Sequence, residues 1–182
     1  NRLYALHDKY MQDRRSVDRE LRELEISIPA SRRRAQEYAQ AYAAFAKWEE
    51  KPPVKVQGRV YKKRSDAGEH LQRLISMKLA DRDVVDLGYA TVSLVPAFDG
   101  VWLEISCPPV RYAISPGDSA TGHLMKVDNF LKKMEGDAQF YERQAEGYAD
   151  RLAFLSGQGE RRFAYQAELD AAYTRFTEIE AE

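Results

Sequence analysis

Metal-ligating and disulfide-forming side chains are scarce in this sequence: one cysteine, Cys107, and three histidines, His7, His70 and His123, in 182 residues. A single cysteine closes no internal disulfide, which fits a reducing compartment. The histidines stand far apart, without H-E-x-x-H or paired-cysteine spacing, so no metal site is expected and all three read as exposed helix-surface residues. No apolar run approaches the roughly 18 residues of a membrane span, and no hydrophobic block follows the N-terminus. Gly-rich phosphate loops, G-x-G-x-x-G or G-x-x-x-x-G-K-[ST], are missing too, so neither a cofactor nor a small-molecule ligand is expected. Gly117-Asp118-Ser119 has the letters of a hydrolase nucleophile segment but not the strand such an elbow needs, so Asp118 or Ser119 reads as a helix cap. The carboxylate pairs Glu49-Glu50 and Asp81-Asp83 fall in polar stretches and read as solvated surface. The expectation is a cytoplasmic, non-enzymatic chain. It begins without Met and enters a helical pattern at once, as a piece of a larger protein would.

Charge is plentiful: 31% of residues are charged against 44% hydrophobic, and a mean hydropathy of -0.61 suits solvent-washed helices with one buried stripe. The net charge of -1 hides an uneven distribution. Residues 51–80 carry 8 basic and 2 acidic groups, whereas residues 81–122 carry 2 and 6. From Lys51 to Arg64 there are six basic residues (Lys51, Lys55, Arg59, Lys62, Lys63, Arg64) and no acid. Contact with a polyanion should begin there.

Periodicity divides the chain into three parts. In residues 1–50, Leu3, Leu6, Tyr10, Val17, Leu21, Leu24 and Ile28 follow helical spacing, Pro29 ends that helix, and Ser31 caps a second with Ala35, Tyr38, Tyr42 and Phe45 on one face. A connection that short predicts an antiparallel helical hairpin. In residues 51–117 the period changes to two: one strand over 54–61, a helix from Ser65 or Asp66, a hairpin of 89–95 and 101–107 turning at Phe98-Asp99-Gly100, and a short strand at Val110, Tyr112 and Ile114. That is a small β-α-β-β-β domain. In residues 118–182, Leu124, Val127, Leu131, Met134, Ala138, Tyr141, Ala145, Tyr148, Leu152 and Leu155 keep an unbroken 3-4 spacing. A last helix with Phe163, Leu169, Tyr173, Phe176 and Ile179 should fold back on it. The expected fold is α+β: long antiparallel, coiled-coil-like helices with the small domain inserted between them. Tyr38 and Tyr42 are expected near Met134 and Leu131. Heptads also make dimers, but the number of helices in one chain favours packing within it over self-association.

The basic stretch is the candidate binding surface. Alternation over a single strand places Lys55, Arg59 and Tyr61 on one face, with Lys62, Lys63 and Arg64 at its end and Trp102 on the outward face of the following hairpin. Rings and cations on one sheet face are what single-stranded nucleic-acid binders use. The competing reading packs this face on the helices, aromatics filling the joint and lysines reaching water.

Gly58, Tyr61, Arg64, Ala67, Gly68 and Leu71 carry a further signal. Their segment resembles G-[KR]-x-Y-x-x-R-x-x-A-G-x-x-L near the C-terminus of very large phage, plasmid and conjugative-element proteins that combine a superfamily-two helicase with an adenine-specific DNA methyltransferase. Gly122, Lys126 and Asn129 are similar to that family's G-x-x-x-R-x-x-N, with Lys in place of Arg. The resemblance covers roughly residues 54–182. It implies a bacterial, DNA-related accessory segment on a mobile genetic element, attached to the rest of a larger parent protein. No Walker A, D-E-x-H, D-P-P-Y or N-P-P-Y string occurs in the chain. The expected function is a non-catalytic accessory module that contacts DNA through the basic strand and loop. The alternative is a spacer or protein-docking coiled coil without nucleic-acid contact.

Overall fold

The computed structural model describes residues 2–48, 50–158 and 165–180. Its elements are α1 (Arg2–Ala46), β1 (Val54–Val56), β2 (Arg59–Tyr61), α2 (Arg64–Ser76), β3 (Asp81–Asp86), β4 (Thr91–Ala97), β5 (Gly100–Cys107), β6 (Val110–Ile114), α3 (Ala120–Gln158) and α4 (Gln166–Glu180). The fold mixes helices with one six-stranded sheet in the order β2-β1-β3-β4-β5-β6. Every pairing in it is antiparallel. The chain forms two compact units, residues 32–142 and residues 1–31 with 143–182. Among the described residues no helix is long and apolar enough to cross a membrane.

The N-terminal region is one helix of 45 residues, not the hairpin expected from Pro29. Proline inside a helix withholds a hydrogen bond from the carbonyl four residues back and costs about 3 kcal/mol. The buried stripe nevertheless runs straight through it: Leu24, Ile28, Ser31 and Ala35 are all buried, at spacings of four, three and four. Packing before and after the proline keeps the helix in phase. Ser31, expected as a cap, is instead mid-helix and donates from Oγ to Gln144 Oε1 at 3.1 Å. α3 follows its 3-4 spacing, with Leu124, Val127, Leu131, Met134, Ala145 and Leu155 buried along 39 residues. Ser119 caps it, Oγ accepting from the Gly122 N–H at 3.1 Å. The cap expected for α2 is not formed: Lys63 holds the N-cap position without a side-chain hydrogen bond. Leu169 on α4 is buried, while Phe163, expected on the same helix, lies outside the described residues.

The sheet has two strands more than expected. Val54 to Tyr61 is a hairpin, not one strand, because Gln57 and Gly58 take positive φ values of 47° and 79° and turn the chain in two residues. β3 went unexpected because Asp81, Arg82 and Asp83 read as a solvated stretch. It is held from both sides, by β1 and β4. At its irregular register the Asp83 N–H donates to Ser93 Oγ, and Thr91 Oγ1 donates to the Asp83 carboxylate. The hairpin expected at Asp99-Gly100 forms with Ala97 opposite Gly100. Pro108-Pro109, read as a strand breaker, is the turn between β5 and β6 and contains a cis peptide bond.

Register assigns the faces. Arg59, Val56, Val85, Val92, Ile105 and Tyr112 are successive cross-strand partners and share one face. α2 and α3 lie on that side: Tyr61 bonds His70 of α2, and Tyr112 stacks on Phe130 of α3 at 5.1 Å between centroids. Val60, Lys55, Asp86, Thr91, Ser106 and Arg111 form the opposite, polar face by the same pairings. One core joins Val54, Val56, Leu71, Leu103, Ile105, Leu131 and Met134, with Tyr38, Tyr42 and Phe45 packed against it. Tyr38 meets the Tyr141 ring at 5.7 Å. Tyr42 lies by Glu135, whose charge raises its pKa.

α2 touches the start of α3 where Gly68 leaves no room for a side chain. A Cβ there would stand 2.2 Å from the Ala120 carbonyl oxygen. Gly68→Ala is therefore expected to destabilise the fold by about 1–3 kcal/mol, as overpacking does, read from the urea midpoint. None of the three histidines is the exposed residue expected: His7 and His70 are half-buried, and His123 is 1% accessible with its Nε2 2.6 Å from Gln72 Oε1 of α2. Burial, then the charge of Lys126, lowers its pKa below the ordinary 6.5, while Asp118 opposes them. His70 is lowered as well, by burial and then Arg73 and Arg59. Both bind protons less readily folded than unfolded, so their contribution is complete above 6.5 and is lost as the pH falls. Stability is expected to drop as the pH falls below about 6.5, and less steeply in His123→Gln. Equal slopes in the two proteins would refute that role.

Candidate nucleic-acid interface

Lys55, Arg59, Lys62, Lys63 and Arg64, with Tyr61 and Trp102, formed the expected interface, and the structure sends them in different directions. Because β1 and β2 are separate strands, Lys55 pairs with Val60 while Arg59 pairs with Val56. Lys55 is thus on the polar face and Arg59 and Tyr61 on the helix side, not together as a single strand would have put them. Lys55 Nζ donates to Asp86 Oδ2 at 3.1 Å. Asp86 also accepts the Gly88 N–H, and these two bonds, the backbone one foremost, lower its pKa. Trp102 points away from Tyr61, on the polar face beside Val95, and its Nε1 donates to Asp99 at 2.8 Å. Tyr61 and Trp102 therefore make no common stacking platform.

Arg64 and Lys51 converge on one buried carboxylate. Asp128 of α3 is 4% exposed. Its two oxygens accept from Arg64 Nη2 at 2.9 Å each, and it accepts from Lys51 Nζ and from Tyr89 Oη, the last at 3.1 Å. Burial and the neighbouring Asp128 charge raise the Tyr89 pKa, which keeps the phenol as a donor. Arg64 Nη1 is buried without a partner among the described residues. Lys62 and Lys63, by contrast, are exposed and outside every ion pair among the described residues. Arg59 is exposed and also without an ion pair among the described residues, its guanidinium 5.2 Å from the centre of the Tyr61 ring.

The motif residues have mostly packing duties. Gly58 makes the β1-β2 turn, Tyr61 Oη is 2.9 Å from His70 Nδ1, Arg64 holds Asp128, and Ala67 and Gly68 are buried where α2 meets the core. Gly122 lies against the capping Ser119, and Lys126 Nζ donates to Ser115 Oγ and the Pro116 carbonyl. Asn129 is exposed.

Asp128, Tyr89 and Lys51 were missed as a unit. A signal existed: Asp128 is four residues after Leu124 and three before Leu131, so it sits on the buried stripe of α3 and needs a partner. His70 and Arg73 were also missed, since helical spacing alone does not reveal the strand beside them. Comparison of the chain with protein-family models, with curated proteins and with solved structures gives no match.

Asp128→Ala leaves Arg64 partly buried beside an unanswered Tyr89 hydroxyl. Because Arg64 and Lys51 retain some solvent contact, the loss should fall at about 2–4 kcal/mol, near or below that of a fully buried pair. Equilibrium urea unfolding measures it, and Lys62→Ala should change stability by less than about 0.5 kcal/mol.

Proposed function

We propose that this chain is a non-catalytic accessory module of a large helicase and DNA methyltransferase protein of a mobile element, and that it touches DNA phosphates at the corner between β2 and α2. The observation that carries the DNA contact is the set of three exposed cations left at that corner, Arg59, Lys62 and Lys63, without ion pairs among the described residues. The resemblance at Gly58, Tyr61, Arg64, Ala67, Gly68 and Gly122 supports the parent, and the absence of helicase and methyltransferase strings from the sequence supports a non-catalytic part. Since Tyr61 and Trp102 occupy opposite faces, the contact is one of charge with backbone phosphates, indifferent to base sequence.

α1 and α3 are read as antiparallel, coiled-coil-like partners within each unit. Glu20 bonds Arg151 and Ser31 bonds Gln144 in one, while Tyr38 meets Tyr141 and Tyr42 lies by Glu135 in the other, the α3 number falling as the α1 number rises. A second reading, a spacer or docking element without DNA contact, is favoured by the engagement of Lys51 and Arg64 with Asp128.

Titration of labelled single- and double-stranded DNA over a salt series separates the two. Three phosphate contacts predict a log-log slope of about -2 to -3, lost in Lys62→Glu/Lys63→Glu. Absence of binding by the folded chain at about 50 mM salt leaves the spacer reading.

A further inference from the structure

β2 is the edge strand of the sheet, so no neighbouring strand covers its outer side. Its helix-side residues, Arg59 and Tyr61, face α2, whose His70, Arg73 and Leu74, with the C-cap residue Met77, follow helical spacing along one side. These six residues line an open cleft of about 240 Å³. Its interior is Tyr61 and His70, both half-buried and joined by the 2.9 Å hydrogen bond, with buried Leu74 beneath. Arg59 and Arg73 are exposed.

Charge in this cleft is uncompensated. Among the described residues neither arginine has an ion pair. Arg73 spends one donor, Nε, on the Glu69 carbonyl of its own helix at 3.4 Å, and its terminal nitrogens have no hydrogen bond among the described residues. Arg59 lies over the Tyr61 ring, a geometry that orients a guanidinium while leaving its N–H edges available. Both positive charges act on His70. Arginine edges present parallel N–H donors that match the oxygens of a phosphate. Two of them around a recess with a phenol-imidazole pair suit a tetrahedral anion seated against a flat wall.

We propose that the cleft between β2 and α2 is a phosphate seat, in which Arg59 and Arg73 hold a single phosphate group of a nucleic-acid backbone beside Tyr61 and His70. This rests on the DNA reading of the module and adds to it a defined site and two residues, Arg73 and His70, outside the basic segment. Lys62 and Lys63 then supply the neighbouring, less ordered contacts. The same phosphate chemistry could be delivered free in solution, and the test separates the sources.

The full chain is titrated with a short DNA duplex and, separately, with inorganic phosphate, following the His70 ring and the Arg59 and Arg73 side-chain signals by NMR, and DNA affinity by anisotropy. Binding of DNA with movement of these signals is expected, together with about a tenfold loss of affinity and a salt slope shallower by about one in Arg59→Gln/Arg73→Gln. DNA binding that leaves the cleft signals still, with the arginine variant no weaker than the native chain, overturns the seat and keeps the DNA reading. Saturable phosphate binding in the cleft without DNA binding overturns the nucleic-acid source and the DNA reading together. No response to either probe overturns both.

Discussion

A carboxylate buried on an apolar stripe sets a condition that the surrounding chain has to meet. Asp128 sits between Leu124 and Leu131 on α3, where an unpaired charge would cost several kcal/mol. Its needs are met from three directions: Lys51 ahead of β1, Arg64 opening α2, and Tyr89 just before β4. These segments are distant in sequence, and only the folded core places their donors around one point. The interaction thereby fixes where α2 and α3 stand against the sheet, beside the contact of Gly68 with Ala120.

That arrangement also redistributes the basic segment. Cations paired with a buried carboxylate have their charge answered, so a run that looks uniformly positive becomes a part-buried anchor at Arg64, an exposed one at Lys51, one surface pair with Asp86, and a remaining corner of Arg59, Lys62 and Lys63. Density of charge along a sequence therefore overstates what a partner meets. The cleft by β2 shows the converse, since Arg73 joins Arg59 there from a separate element.

Much of the framework was legible in the residues. The 3-4 spacing from Leu124 to Leu155 marked α3, Asp99-Gly100 marked a hairpin, and the alternation from Val101 to Cys107 placed its apolar residues inward. Local signals failed where packing overruled them. Pro29 looked like a stop, yet the buried stripe on both sides carried the helix through it. Asp81 and Asp83 looked like loop, yet two neighbouring strands supplied the backbone partners of β3.

The sequence by itself determined the long helical stretch of α3, the alternation of β5, and where cationic charge is concentrated, because these follow from side-chain period and composition within a few residues. Tertiary structure alone decided which cations stay free, which ring faces which side, and that His123 is buried. Those outcomes depend on register and on partners far away along the chain: a turn at Gln57-Gly58 sent Lys55 and Arg59 to opposite faces, and a carboxylate 64 residues beyond Arg64 claimed its charge.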